Sequence, residues 1–267
     1  MFLSFFFSFI NLKKIDLCPR GSRWKRKDSP GEDFSISGQY TWFKSELYPI
    51  LSQTRVPIYL IFGNSDRKFN YDLLKSELSS PLLTFVDNQV VSLPNEYLLF
   101  GYSLVPGSNH TWKDYEKLDL GNQDFNERKL VLHGLVSISG KAEPGSIKTD
   151  ENETISWDFQ HLPFECDSQI LKKMVWMTHA PPFGTNLDNC KEKIHVGSRA
   201  IFSAIKNFQP LVTLHGHIHE TVEQSGSYQS SIGRTICLTA GNHYSNELVN
   251  LISLNLEDPK NAKRISL

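Results

Sequence analysis

The sequence lacks three features that would each indicate a class of protein. It has no excess of one charge, because 28 Lys and Arg stand against 29 Asp and Glu, so nothing indicates nucleic acid or an anionic membrane as a partner. Its four cysteines, Cys18, Cys166, Cys190 and Cys237, form no CxxC pair and no zinc-finger spacing, which predicts thiols in a reducing compartment. It also has no apolar run long enough to span a bilayer, so we expect a cytoplasmic protein without stable membrane insertion.

The first ten residues are the most apolar stretch of the chain. They resemble the hydrophobic region of a signal peptide, but no charged segment precedes them and no small-residue cleavage site follows. A basic, turn-rich segment comes next. Three interpretations stay open: a buried first strand, a weak anchor on a membrane surface, or a start that does not belong to the natural domain. We therefore predict an atypical segment over 1–30, disordered or non-native, followed by one domain over 31–267.

Short apolar runs and helical patterns alternate along the rest of the chain, which predicts a layered α/β domain. Pro49 should kink or end the first helix, and Ser198 should cap the last one. Residues 139–165, rich in Gly, Pro, Glu and Ser, predict an exposed insertion or long loop. The predicted strands are 58–62, 82–91, 96–102, 130–138, 173–178, 211–214, 235–239 and 248–254, and the predicted helices are 39–53, 112–118 and 198–208.

The most informative stretch is the turn from Leu214 to Glu220, which holds three of the nine histidines. Gly216 between His215 and His217 lets imidazoles leave a tight turn in different directions. That arrangement suits two metal ions roughly 3.5–4 Å apart. The alternative is a surface loop with solvated histidines, and His215 itself is expected to pack at the strand end.

Two further polar loops follow apolar strands, one from Gly63 to Asp66 and one from Thr178 to Pro182. Open α/β folds place their sites at the carboxyl ends of strands, so we expect these loops and the histidine turn to belong together. An Asn amide oxygen and imidazole nitrogens suit Zn²⁺, Mn²⁺ or Fe better than Ca²⁺. The sequence therefore predicts a divalent-metal site.

The three motifs, in this order, resemble the calcineurin-like metallophosphoesterase superfamily, whose order is D-x-H, G-D, G-N-H-D, a lone H and G-H-x-H. The resemblance covers about residues 31–255. The small stand-alone phosphoesterase branch is also similar through Thr178 to Pro182 and His195 to Ser198. The resemblance implies a four-layer sandwich, with two facing mixed β-sheets flanked by helices and with the first strand lost or altered.

Carried over to this sequence, the resemblance implies one metal ion bound by Asn64, His179 and His217. His219 matches a ligand of a second ion. No D-x-H precedes Gly63, so the second ion lacks two expected ligands. Asp33 is the first candidate for the carboxylate that bridges the ions, and Glu32 is the second. The implied cofactors are divalent ions, Mn, Fe or Zn, with one ion or two.

The resemblance also implies catalytic roles for Asn64, Asp66 and His179. Asp66 matches the acid that orients a His in the third motif, but that His is Ser65 here. A hydroxyl can donate a hydrogen bond to substrate, yet it is a poor general acid near neutral pH. His195 could approach a substrate phosphate with help from the following helix N-terminus, and the alternative is a packing role.

The activity implied is metal-assisted hydrolysis of a phosphomonoester or phosphodiester. We expect a small phosphate-ester substrate and no nucleic-acid partner. The missing D-x-H favours a second interpretation, a catalytically inactive phosphoesterase-fold protein that serves as a binding or scaffold module. A third is an incomplete gene product whose full-length form is the enzyme.

Overall fold

The computed structural model describes residues 35–78, 82–120, 132–148, 150, 152–164, 167–243 and 248–267. Asp33, Glu32 and the atypical segment predicted over 1–30 lie outside these residues. The described strands are β1 (Ile58–Leu60), β2 (Leu83–Phe85), β3 (Val90–Ser92), β4 (Leu98–Tyr102), β5 (Val105–Pro106), β6 (Glu116–Lys117), β7 (His133–Ile138), β8 (Lys141–Ser146), β9 (Met174–Thr178), β10 (Val212–His215), β11 (Gln229–Ile232), β12 (Thr235–Thr239), β13 (Asn250–Asn255) and β14 (Asp258–Ser266).

The described residues form seven α-helices. They are α1 (Ile36–Trp42), α2 (Tyr48–Ser52), α3 (Lys68–Glu77), α4 (Ile155–Gln160), α5 (Ser168–Leu171), α6 (Arg199–Phe208) and α7 (Thr221–Ser225), and a π-helical turn, Phe43–Leu47, joins α1 to α2. Ser198 caps α6 by accepting a hydrogen bond from the Ile201 N–H, as predicted.

A six-stranded mixed sheet in the order β11-β12-β10-β9-β4-β3 forms the centre of the fold. Its four inner strands are parallel, and both edge strands run antiparallel to their neighbours. Strands β1 and β2 pair in parallel with each other, and β13 and β14 form an antiparallel pair. The α/β class predicted from the sequence is confirmed at this level.

Strand β9 shows how the central sheet is buried on both faces. Val175 and Met177 pack into a cluster with residues of the β13–β14 pair, whereas Met174 and Trp176 pack into another with α4 and α6. A wholly apolar strand is expected where parallel strands are covered on both sides, because successive side chains point to opposite faces. The carboxyl ends of β9 and β10 therefore lie at one edge of a rigid, buried sheet.

The helix predicted over 39–53 begins earlier, at Ile36, and Pro49 neither ends nor interrupts it before Ser52. The π-helical turn explains this, because the Tyr48 N–H donates to the carbonyl of Phe43, five residues back. Pro49 then stands in the first turn of α2, where a missing N–H costs nothing.

The helix predicted over 112–118 is wrong, since this segment is extended and contains β6. Trp112 bridges to Leu135, and the Lys113 N–H donates to the Leu135 carbonyl at 2.7 Å. Lys113 and Glu116 are both buried as an ion pair. Pairing with distant strands has overridden the local helical pattern here.

The segment predicted as an exposed insertion over 139–165 is exposed only in its first half, where β8 pairs with β7. Helix α4 in its second half buries Ile155 and Phe159 in the core. The wholly apolar run that contains β1 predicts a strand buried on both faces, but the three residues of β1 are only half-buried. Among the described strands, β1 pairs only with β2, so its other edge has no neighbouring strand there.

Candidate functional site

Three of the predicted metal ligands converge in the structure. Asn64 Oδ1 lies 3.1 Å from His179 Nε2 and 3.1 Å from His217 Nδ1. The two imidazole rings meet edge to face, with centroids 5.2 Å apart and planes at 62°. The three side chains come from loops that follow β1, β9 and β10, as the motif order predicted.

The positions of His179 and His217 follow from the pairing of β9 with β10. His215 pairs with Thr178 in the parallel register, and the ladder continues as the Gly216 N–H donates to the His179 carbonyl at 3.0 Å. On its other side the His179 N–H donates to the Tyr102 carbonyl at 2.9 Å. His217 then adopts a left-handed backbone with φ 65°, which turns the chain sharply at the strand end.

The loop that carries Asn64 is closed by Asp66. Asp66 Oδ2 accepts the Gly63 N–H at 2.7 Å, and its other oxygen accepts Gln39 Nε2 at 3.0 Å. Burial of this carboxyl raises its pKa to about 6. The structure thus places Asp66 behind the loop, where it shapes the turn, while Ser65 is exposed at the tip.

The separations of Asn64 Oδ1 from the two imidazole nitrogens are hydrogen-bond distances that also match those between two ligands of one divalent ion. Two ligands bonded at about 2.1 Å and at right angles lie about 3.0 Å apart, and a tetrahedral pair lies about 3.4 Å apart. The separations of 3.1 Å fall between these values. Burial lowers the pKa of His179 well below its usual value and that of His217 to about 3, so both imidazoles are neutral, the form that binds metal.

Within the described part of the chain, no group of three or more His, Cys, Asp or Glu side chains could hold a metal ion. A metal ion held by His179 and His217 would therefore need the Asn64 amide oxygen as its third donor. His219 does not complete such a group. Burial lowers its pKa, and the charges of Glu220 and His243 also act on it. The other predicted ligand of the second ion, Asp33, lies outside the described residues.

His195 is held by a buried carboxylate. Its Nδ1 lies 2.8 Å from Asp188 Oδ1, and Asp188 also accepts the N–H groups of Gly184, Thr185 and Gly197, each at 3.0 Å. The imidazole itself is partly exposed, with a side-chain exposure of 39%. The loop therefore fixes the His195 ring through Nδ1 and leaves its other side toward solvent.

The N-terminus of α6, expected to assist a substrate phosphate, already faces a carboxylate. Asp119 Oδ2 accepts the Arg199 N–H at 2.6 Å, and Asp119 Oδ1 bonds the Ser198 hydroxyl. A negative charge is stabilised at a helix N-terminus, and here that charge is the carboxylate of Asp119. A phosphate at this terminus would therefore have to compete with the Asp119 carboxylate, and the role expected for His195 toward substrate stays a prediction.

His215 packs at the strand end, as expected. Its two ring nitrogens lie 2.9 Å from Thr178 Oγ1 and 2.7 Å from Thr213 Oγ1. Burial lowers its pKa to about 3. Sequence reasoning overlooked His110, whose charge contributes to lowering the pKa of His217. No motif marks His110, which lies in the loop after the two-residue strand β5, far in sequence from His179 and His217.

Comparison with known proteins gives distant similarities. No protein-family model matches this chain. Over 95 residues, 33% of the chain, it is 30% identical to the DNA double-strand break repair protein Mre11 of Methanococcus maripaludis. The match spans 26% of that protein, so the chain corresponds to about a quarter of its length.

Two crystal structures share the fold over most of the chain. TT1561 of Thermus thermophilus superposes with a TM-score of 0.51 at 15% identity, covering 87% of this chain and 80% of that one. Another crystal structure gives a TM-score of 0.54 at 15% identity and covers 86% and 72% of the two chains. At this identity the likeness concerns the fold. None of the helices in the described ranges has the length and apolar character to span a bilayer.

Proposed function

We propose that this chain is a metal-dependent hydrolase of phosphate esters. The observation that carries the proposal is the convergence of Asn64 Oδ1, His179 Nε2 and His217 Nδ1 at separations that suit one divalent ion. The partial similarity to Mre11 supports a protein of the metallophosphoesterase type. A bound ion of Mn, Fe or Zn would supply the Lewis acidity that polarises a phosphoryl oxygen and acidifies a water molecule.

The fold proposed with this activity is the four-layer sandwich. The β13–β14 pair and residues beside β1 and β2 pack on one face of the six-stranded sheet, and α4 and α6 pack on the other. In the proposed arrangement, the strands that cover the first face form the second sheet of the sandwich. Likeness over 86% and 87% of the chain to two solved structures supports a single fold of this kind.

In the proposed function, side chains of this chain would bind the metal ion and orient the substrate. Asn64, His179 and His217 would hold one ion, and Asp66 would keep the Asn64 turn closed through the Gly63 N–H. His219 and Asp33 are the proposed ligands of a second ion. Ser65 at the exposed loop tip and the ring of His195 are proposed to contact substrate.

The proposed substrate is a small phosphate ester, either a monoester or a diester. The balanced composition, with a formal net charge of -1, supports this choice over a long polyanion. The name of the Mre11 relative makes DNA a competing substrate, so an oligonucleotide belongs in the assay beside the small esters.

The proposal is tested on metal-stripped protein titrated with Mn²⁺ by calorimetry. Turnover is then measured on p-nitrophenyl phosphate, bis-p-nitrophenyl phosphate and a single-stranded oligonucleotide. We expect Mn²⁺-dependent turnover of a small ester and loss of both binding and turnover in His217→Ala. His133→Ala, a change on the exposed strand β7, is the matched control and should behave as the parent. A His217→Ala variant that binds Mn²⁺ like the parent would refute the site.

A catalytically inactive binding module is the second candidate. It is favoured by the incomplete second half of the centre, since His219 joins no three-ligand group among the described residues. This candidate predicts one tightly bound Mn²⁺ per chain and binding of inorganic phosphate, with no turnover of any ester. That combined result would replace the hydrolase proposal.

A further inference from the structure

The edge of β1 that points away from β2 is open among the described residues. The Ile58 N–H donates to the Leu82 carbonyl at 2.6 Å. Two residues later, the Leu60 carbonyl accepts the Val86 N–H at 2.9 Å. Backbone groups of alternate residues in a strand point to opposite edges, so the N–H and the carbonyl of Tyr59 point away from β2. No strand in the described part of the chain pairs with them.

The β13–β14 pair has an open edge of its own, on β13. Val249 and Leu267 exchange two backbone hydrogen bonds, at 3.1 and 2.9 Å, so odd-numbered residues at the start of β13 bond to β14. Even-numbered residues point the other way, where the Asn242 side chain bonds both backbone groups of Asn250, at 2.7 and 2.9 Å. Ile252 comes next on this edge and is 2% exposed, and no described residue bonds its N–H or its carbonyl.

Both open edges border the same part of the core. Tyr59 packs against the hydrophobic cluster that contains Ile61 and Ile252. Buried backbone groups are almost always hydrogen-bonded, because an unpaired group away from water costs about as much as a lost hydrogen bond. Apolar strand edges are also covered in native proteins, because an open edge pairs with other chains. The two edges therefore fit one more strand, covered on both faces and bonded to β1 on one side and to β13 on the other.

The position of the first helices indicates that this strand comes before them in the chain. The helical segment from Ile36 to Ser52 leads into β1, and its buried residues Phe43 and Leu47 pack with Phe85 of β2. A helix that covers a sheet and then enters a parallel strand is the second half of a βαβ crossover. The first half of such a unit is a parallel strand that precedes the helix.

Residues 1–10 have the composition of such a strand. They carry no charged side chain, and Ser4 and Ser8 are their only polar residues. Strands that are covered on both faces read as continuous apolar runs, because successive side chains point to opposite faces. Residues 11–35 can span about 80 Å when extended, so they can lead from this run to the start of α1 at Ile36.

We propose that residues 1–10 form a strand parallel to β1 that pairs with the open edges of β1 and β13. This strand joins the β1–β2 and β13–β14 pairs into one sheet, in which β2 and β14 are the outer strands. The joined sheet faces the six-stranded sheet across the cluster that contains Ile61 and Ile252. The pairing is independent of whether the chain hydrolyses phosphate esters.

Hydrogen exchange of backbone amides, resolved by NMR, tests the pairing in the full chain and in a variant that lacks residues 2–10. We expect the amides of Tyr59 and Ile252 to exchange slowly in the full chain. Both should exchange at least about 10-fold faster in the variant, because each loses a hydrogen bond to the added strand. Leu251 is the matched control, since it pairs with Ile265 in the β13–β14 register and should stay slow in both proteins.

A point variant of the full chain gives the same readout if the shortened chain does not fold. Phe5→Asp places a charge within the apolar run, and a strand covered on both faces does not accept an unpaired charge without a large cost. Exchange at Ile252 should therefore become faster in Phe5→Asp. Leu17→Asp lies outside the run and should leave that exchange unchanged.

Three results would overturn the proposal. Fast exchange at Ile252 in the full chain would mean that its edge stays open. Equal protection with and without residues 2–10, or in Phe5→Asp and the parent, would assign the edge to another segment. Protection that rises with protein concentration would assign it to a second copy of the chain.

Discussion

The α-carbon of Gly63 lies directly against the imidazole ring of His179. A Cβ built on Gly63 would stand 2.5 Å from both Cε1 and Nε2 of that ring, far inside van der Waals contact. The glycine therefore lets Asn64, its neighbour in sequence, approach His179 closely enough to share a ligand. No residue with a side chain can stand at position 63 unless His179 moves.

Gly63→Ala is accordingly expected to abolish Mn²⁺ binding by displacing His179 Nε2 from Asn64 Oδ1. The measurement is a calorimetric Mn²⁺ titration of metal-stripped protein, with unfolding followed in parallel. Gly184→Ala is the control, because Gly184 has a φ of 74° but no atom within 4 Å of an added Cβ. It should cost about 1 kcal/mol of backbone strain and leave Mn²⁺ binding intact. Equal Mn²⁺ affinity in both variants would contradict the close packing described for Gly63.

His215 should make the metal-free protein sensitive to acid. Its pKa is about 3 in the fold, below the ordinary value of 6.5, so the unfolded chain binds a proton that the folded chain does not. The stability it contributes is full above about pH 6.5 and is lost as the pH falls toward 3. Between these limits the parent should lose about 1.4 kcal/mol per pH unit relative to His215→Gln. Urea unfolding from pH 7 to pH 4 measures this difference, and parallel curves would refute it.

The buried pair of Lys113 and Glu116 should be far more sensitive to single than to double substitution. Lys113→Met leaves the Glu116 carboxylate buried without its cation, which costs about 3–5 kcal/mol. Lys113→Met combined with Glu116→Leu should recover a large part of that loss. Lys148→Met is the control, because its pair with Glu153 is exposed and contributes less than about 1 kcal/mol. Urea unfolding of the four proteins tests the ranking, and a single variant as stable as the double one would contradict it.

Substitution of Asp188 should mainly lower the stability of the fold, whereas substitution of His195 should mainly weaken substrate binding. Asp188→Ala removes an acceptor from three backbone N–H groups as well as from His195, so the free energy of unfolding should fall by about 3 kcal/mol or more. His195→Ala removes only a partly exposed ring and should cost less than about 1 kcal/mol. If His195 contacts substrate as proposed, this variant raises KM without losing stability. A large loss of stability in His195→Ala would assign the ring to packing.

The sequence predicts best where local chemistry decides the structure. The unbroken apolar run of β9 can only be buried on both faces, and Ser198 marks the start of α6 through its own hydroxyl. The convergence of His179 and His217 also follows from local order, because both residues come just after neighbouring parallel strands.

Distant contacts explain what sequence reasoning missed. The extended path of Trp112 to Leu118 depends on a buried ion pair and on pairing with β7, neither of which a helical pattern can reveal. The attachment of Trp112 to the loop that carries Ser65 depends on the stacking of Arg67 on Trp112, formed between loops from different parts of the chain. Asp119, which caps α6 across a long separation in sequence, is equally invisible to a local reading.

Asn64 follows a strand of the β1–β2 pair, whereas His179 and His217 follow strands of the six-stranded sheet. An ion held by all three would join two separately paired sheets that share no backbone ladder among the described strands. Its binding energy would then count toward folding, by about 2.7 kcal/mol when the free ion stands at 100 times its dissociation constant. The lifetime of the folded chain against proteases would then rise and fall with the supply of that ion.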